Sequence, residues 1–150
     1  MKNQALDEGK GVIICGDLNV AHQDDLDNYV PKKAELGAWR DKQPGFTPEE
    51  RMAFRKFLSQ GWVDTFRHFY PQKIQYTWWR IEHKNRERNI GRRLDYFLVN
   101  KDFLNVVQDS VILGEIEGSD HCPIFMKIDL KTLQLKKEEE KTEKVPENEK

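Results

Sequence analysis

No apolar run in this chain outlasts a β-strand. Val12–Cys15, Leu94–Val99, Ser110–Ile116 and Ile124–Leu130 are short and rich in β-branched or aromatic residues, the pattern of strands buried in or against a sheet. The aromatic segment Tyr76–Trp79 also favours an extended chain. Only one segment shows a clear helical period. Thr47 stands as N-cap, Pro48 occupies the first helical position and Glu50 completes a capping box. Phe54, Phe57 and Leu58 supply the i, i+3, i+4 face of a helix expected to stop near Gly61. Lys101–Val107 reads as a second, shorter helix. The fold class is therefore α/β.

A chain of 150 residues accommodates one compact domain. Residues 11–131 are expected to form it, with 1–10 as the end of a preceding helix. The tail 132–150 mixes charges without an apolar period and is expected to be disordered. The stretch from His22 to Gly45 is longer than a plain connector and reads as a functional surface loop. Two cysteines, Cys15 and Cys122, are too few for a disulfide framework and read as small reduced core thiols. No apolar run approaches the roughly 18 residues needed to span a bilayer, so the chain is read as soluble and intracellular, without a membrane partner.

The net charge of −1 excludes a global attraction to polyanions. One local patch stands out. Arg80, Lys84, Arg86, Arg88, Arg92 and Arg93 face only Glu82 and Glu87, a local charge of +4. Charge alone does not choose between a solvated loop and a DNA-facing one.

Three segments place carboxylate or imidazole groups beside strands: Asp17 and Asn19 after the first, Asp95 within Leu94–Val99, and Asp120 with His121 just before Ile124. An aspartate in a buried strand needs a partner or a metal. His121 suits Asp95, since a carboxylate accepting a ring N–H fixes the tautomer and favours the protonated imidazolium, which can then contact a phosphate. Each piece alone is a weak signal. Together GDLNVAH, GFTPEER, DTFRHFYP, YTWW, NIGRRLDYFLVN and GSDHCPI, in this order across Gly11–Leu130, resemble AP endonucleases of the exonuclease III family.

The resemblance implies a four-layer α/β sandwich of two mixed sheets, of which this chain corresponds to the C-terminal half. It implies a DNA-repair phosphodiesterase in which Asp17 activates the attacking water, Asn19 holds water and phosphate, and Asp95 supports His121 at the scissile phosphate. Asp120, His121, Asp17 and Asn19 would lie at a Mg²⁺ site, with Mn²⁺ as the other candidate ion. Trp78, Leu94, Arg92 and Asn89 would surround the pocket for the baseless sugar of an abasic duplex, Arg92 departing from the family's usual Trp. The family's first half, with an early metal-ligating Glu, is not represented, so the expected partners include a separate N-terminal half or a second copy meeting an uncovered sheet. The location implied is nuclear in a eukaryote and cytoplasmic in a bacterium. A non-catalytic DNA-binding remnant, or another phosphoesterase of the wider superfamily, are the competing readings.

Overall fold

The computed structural model describes residues 10–29 and 43–132. The expected helix remnant before Lys10, the middle of the His22–Gly45 loop and the charged tail beyond Thr132 lie outside the described residues.

Among the described residues five strands form two antiparallel sheets. In the first, β1 (Ile13–Asp17), β3 (Asp95–Asn100) and β2 (Trp62–Asp64) pair in the order β1-β3-β2. In the second, β4 (Val107–Ile112) pairs with β5 (Ile124–Ile128). These are antiparallel elements of the mixed sheets expected. Among the described residues three helices accompany them: one turn, α1, at Asp24–Asp27, then α2 at Pro48–Leu58 and α3 at Thr65–Phe69. Residues Lys101–Val106 form 3₁₀ turns where a short helix was expected.

The start of α2 is set locally. Thr47 Oγ1 accepts from Glu50 N at 3.2 Å, and Glu50 Oε2 accepts from Thr47 N at 2.9 Å. Pro48 has no N–H to leave unsatisfied. The helix ends at Leu58, and Gly61 takes φ +101°, a left-handed turn that reverses the chain into β2. Phe54, Phe57 and Leu58 then pack on Val12, Ile14, Trp62, Tyr96 and Leu98.

That packing assigns the faces of β1. Even-numbered residues turn toward α2, whereas Ile13, Cys15 and Asp17 point the other way and are exposed. The expectation of two core thiols is thus half corrected: Cys122 is buried and Cys15 is exposed, because it shares a face with Asp17. Two strand boundaries also move. Ser110–Ile116 becomes Val107–Ile112, since residues 113–119 turn away, with Ile116 N bonded to Leu113 O. Tyr76–Trp79 does not become a strand. It runs between two other segments, making single bridges from Trp78 to Arg92 and to His121.

Behind the sheet lies an ionic cluster that the sequence did not suggest. Arg93 is fully buried, and its guanidinium bonds Asp27 through Nε (2.7 Å) and Nη2 (2.9 Å), and Asp64 through Nη1 (3.0 Å) and Nη2 (2.6 Å). Arg67 Nη2 donates to the same Asp27 Oδ1 that Arg93 Nε reaches, and the Arg93 guanidinium lies 4.4 Å from the centre of the Tyr96 ring. Two guanidiniums and two carboxylates balance, which is the condition for burying them. Arg93 therefore leaves the surface patch to which the sequence assigned it.

Burial pushes the Asp27 carboxyl up, but the Arg93 and Arg67 guanidiniums outweigh it and hold it below the ordinary carboxylate range. The folded-state value lies below that of the unfolded chain, so this contribution is present above the ordinary value and is lost as pH falls through the lowered one. Asp27→Asn is expected to cost about 3–5 kcal/mol at neutral pH, because it leaves a buried guanidinium under-compensated. Urea unfolding from neutral to acid pH checks this: the deficit should shrink in acid, and a pH-independent deficit would show that the charge is not what matters.

Candidate active site

The first sheet delivers carboxylates in opposed positions. Asp17 ends β1 and Asp95 begins β3, and the antiparallel register makes them direct partners. Like charges facing across a strand pair repel. The structure offsets this with an imidazole: His121 Nδ1 lies 2.8 Å from Asp95 Oδ2. An ionised carboxylate only accepts, so Nδ1 carries the proton, and Nε2 is the ring nitrogen left for another contact.

Asp95 is held from behind as well. The buried Thr77 hydroxyl accepts from Leu94 N at 2.9 Å and from Asp95 N at 3.1 Å, fixing the first residues of β3. Residues 77–79 in turn bind the segment that carries the histidine, through Trp79 N to Asp120 O (2.9 Å) and Cys122 N to Thr77 O (2.8 Å). Ser119 Oγ accepts from His121 N at 3.1 Å. Sequence reasoning passed over Thr77 and Ser119; nothing in a lone hydroxyl marks it as a scaffold, although both sit inside the motifs YTWW and GSDH.

Asn19 follows Asp17 in a tight turn. Asp17 Oδ1 accepts from Asn19 N at 2.7 Å, and Asn19 adopts φ 51°, a left-handed conformation that Asn tolerates better than most residues. Both residues are exposed.

Asp120 lies beside His121, and its Oδ2 accepts from Trp78 Nε1 at 3.0 Å. That indole donor, seconded by backbone and Ser119 bonds, holds the Asp120 carboxyl below its ordinary range. Trp78 also packs with Leu94, Phe46 and Ala21. The Arg92 guanidinium stands 6.0 Å from the centre of the Trp78 ring and donates to Pro44 O at 2.7 Å. Trp78, Leu94 and Arg92 are thus brought together. Asn89, three residues before Arg92, is exposed and left-handed (φ 51°), and its N–H donates to Arg86 O at 3.0 Å.

The sequence model of the Endonuclease/Exonuclease/phosphatase family matches residues 2–121. The chain belongs to this family. It is 46% identical over 126 residues to an exodeoxyribonuclease of Bacillus subtilis, a match covering 83% of this chain and 47% of that protein. It is 46% identical over 122 residues to the DNA repair nuclease APEX1 of Danio rerio, covering 81% and 37%. Among solved structures, the AP endonuclease LMAP from Leishmania major aligns with a TM-score of 0.69 at 40% identity, over 76% of this chain and 34% of that one. The catalytic domain of Xenopus laevis APE2 gives 0.65 at 37%, over 81% and 38%. The chain spans less than half the length of these relatives.

Nucleases of this family generally depend on a divalent metal. The donors here fit such an ion in kind. Asp17 and Asp120 present hard carboxylate oxygens near the surface, and Mg²⁺ keeps several waters and needs only one or two protein carboxylates beside phosphate. They are few in number: among the described residues, no three Asp, Glu, His or Cys side chains form a group that could hold a metal ion. Among the same residues, no helix is long and apolar enough to cross a membrane.

Trp78→Phe removes the donor to Asp120 while keeping an aromatic wall, so the Asp120 titration is expected to move up toward the ordinary carboxylate value. Carboxyl-carbon NMR across the acid range reads this directly. Since the folded value is the lower one, the Trp78–Asp120 contact stabilises above that range and is lost as pH falls through it, and the variant's stability deficit should fade in acid. An unmoved Asp120 titration would show that the indole bond does not govern it.

Proposed function

We propose that this chain supplies the nucleophile-activating and phosphate-contacting side of a DNA-repair phosphodiesterase that cuts the backbone 5' to an abasic site. The observation that carries this reading is the 2.8 Å Asp95–His121 contact set directly across the sheet from Asp17. It supplies, side by side, an exposed carboxylate to act on water and an imidazole held at Nδ1 by a second carboxylate.

In the proposed reaction Asp17 orients the attacking water and takes its proton, and Asn19 holds water and phosphate. His121, when both ring nitrogens carry protons, donates Nε2–H to a non-bridging oxygen of the scissile phosphate and stabilises the charge that builds there, while Asp95 accepts from Nδ1–H and keeps the ring aimed. Asp17 and Asp120 would hold the Mg²⁺ ion, which when bound neutralises the phosphate and assists departure of the 3' oxygen. Trp78 and Leu94 form the wall against which a flipped, baseless sugar rests, and Arg92 adds a polar rim. The names of the relatives, an exodeoxyribonuclease and a DNA repair nuclease, support DNA as the substrate.

The same reading makes the chain weakly active alone. Among the described residues Asp17 and Asp120 are joined by no third acidic side chain in a metal-holding group, and a second polypeptide contributing a further acidic ligand is the proposed partner. Added to the chain, a family N-terminal half should restore Mg²⁺-dependent nicking of an abasic duplex. In that reconstituted enzyme His121→Asn should lower kcat by about 10²–10⁴-fold while duplex affinity changes little. Equal losses in turnover and binding would reduce His121 to a phosphate anchor. Rapid nicking by the chain alone would refute the need for a partner.

A further inference from the structure

Residues 113–119 lead directly into Asp120 and His121 and carry almost no apolar anchor of their own. Gly114, Glu115, Ile116, Glu117, Gly118 and Ser119 are mostly exposed, and Gly118 adopts φ +117°. A segment of this composition orders only if its backbone carbonyls find donors. One side chain provides them. Arg86 Nη1 donates to Ser119 O at 2.9 Å, and Arg86 Nη2 donates to Gly114 O at 3.1 Å and to Ile116 O at 2.5 Å. The same guanidinium stacks on Trp79, 4.6 Å from the ring centre. Trp79 N binds Asp120 O, so Arg86 is joined to the site segment from both of its sides.

The geometry is that of a fork. A planar guanidinium presents donors in fixed directions and can bridge several carbonyls while stacking, whereas an ammonium is a single point of charge. The loop gripped is acidic, with Glu115 and Glu117, so the cation also meets a favourable field. A DNA-facing arginine would keep its donors free for phosphate. Both terminal nitrogens of Arg86 are engaged by the loop.

We propose that Arg86 is a positioning residue for Asp120 and His121. By holding Ser119 O, one residue before Asp120, it sets where the Asp120 carboxylate and the His121 ring stand relative to Trp78 and Asp95. The inference takes from the proposed function that these two groups meet the phosphate, but the grip itself can be measured without turnover.

The test uses the 150-residue chain with Arg86→Lys and Arg86→Ala. Amide hydrogen exchange is followed for residues 114–121 against β3 as an internal reference, with the imidazole nitrogen signals of His121 recorded alongside. Both variants should raise exchange at 119–121 by roughly ten-fold or more while β3 is unchanged, and the His121 Nδ1–H signal should broaden or shift. Lysine should fail to rescue. A Lys variant with wild-type exchange and wild-type His121 signals would overturn the proposal. If Ala unfolds the whole chain, the Lys variant decides alone: a folded protein with a loosened 119–121 segment supports the grip, and an unchanged segment overturns it. Binding to an abasic duplex separates the rival role, because losing a DNA-facing charge lowers the salt slope by about one, and an unchanged slope is expected here. A wild-type chain that does not bind duplex counts against the phosphodiesterase reading only, and the exchange result still judges Arg86.

Discussion

Arg93, buried completely, is bound at once by Asp27 of α1 and Asp64 at the end of β2, while Arg67 of α3 donates to the same oxygen of Asp27. Its own residue precedes Leu94 and Asp95, so the cluster fixes the point at which β3 begins. Tyr96 extends the hold: its hydroxyl donates to Val20 O at 2.6 Å, just past the Asp17–Asn19 turn. Four elements are thus tied together by charge, in addition to the apolar packing that β2, α3 and β3 share. Removing one member would leave a charge in a medium that cannot solvate it, which is why such clusters move as units.

From that anchor the site follows by short steps. β3 starts with Asp95, the register sets Asp17 opposite, and Thr77 holds the two adjacent amides. The 76–79 segment then serves as a rail, bonded on one side to 92 and on the other to 120–122. It is too short to count as a strand because each neighbour accompanies it for only a residue or two. It nonetheless fixes the spacing between the β3 carboxylate and the imidazole that must reach it.

The basic segment 80–93 shows how one composition divides into different physical roles. Arg93 is a buried counter-ion, Arg86 a carbonyl clamp and Arg92 a half-buried rim against Trp78. Burial lowers the Arg92 value and the Arg80 cation adds to this against the opposing Glu50, while its bonds go to the Pro44 carbonyl and the Gln43 amide oxygen. Arg80 and Lys84 remain at the surface, each beside a glutamate, Glu82 and Glu87. A positive count of four from sequence therefore overstates what the surface offers to a polyanion.

Local chemistry was legible in the sequence. The Thr47-Pro48-Glu50 start of α2 is encoded within four residues and appeared as read, and β-branched runs located β1, β3 and β5 because burial in a sheet demands them. The Asp95–His121 pairing could be inferred from the cost of leaving a strand carboxylate alone. What the tertiary structure decided was everything that depends on partners distant in sequence: that Arg93 belongs with Asp27, 66 residues away, that Arg86 reaches Ser119 across 33 residues, and that Cys15 faces outward with Asp17. A side chain's charge is written in the sequence, but whether it meets water, a carboxylate or a row of carbonyls is settled only when the chain has closed around it.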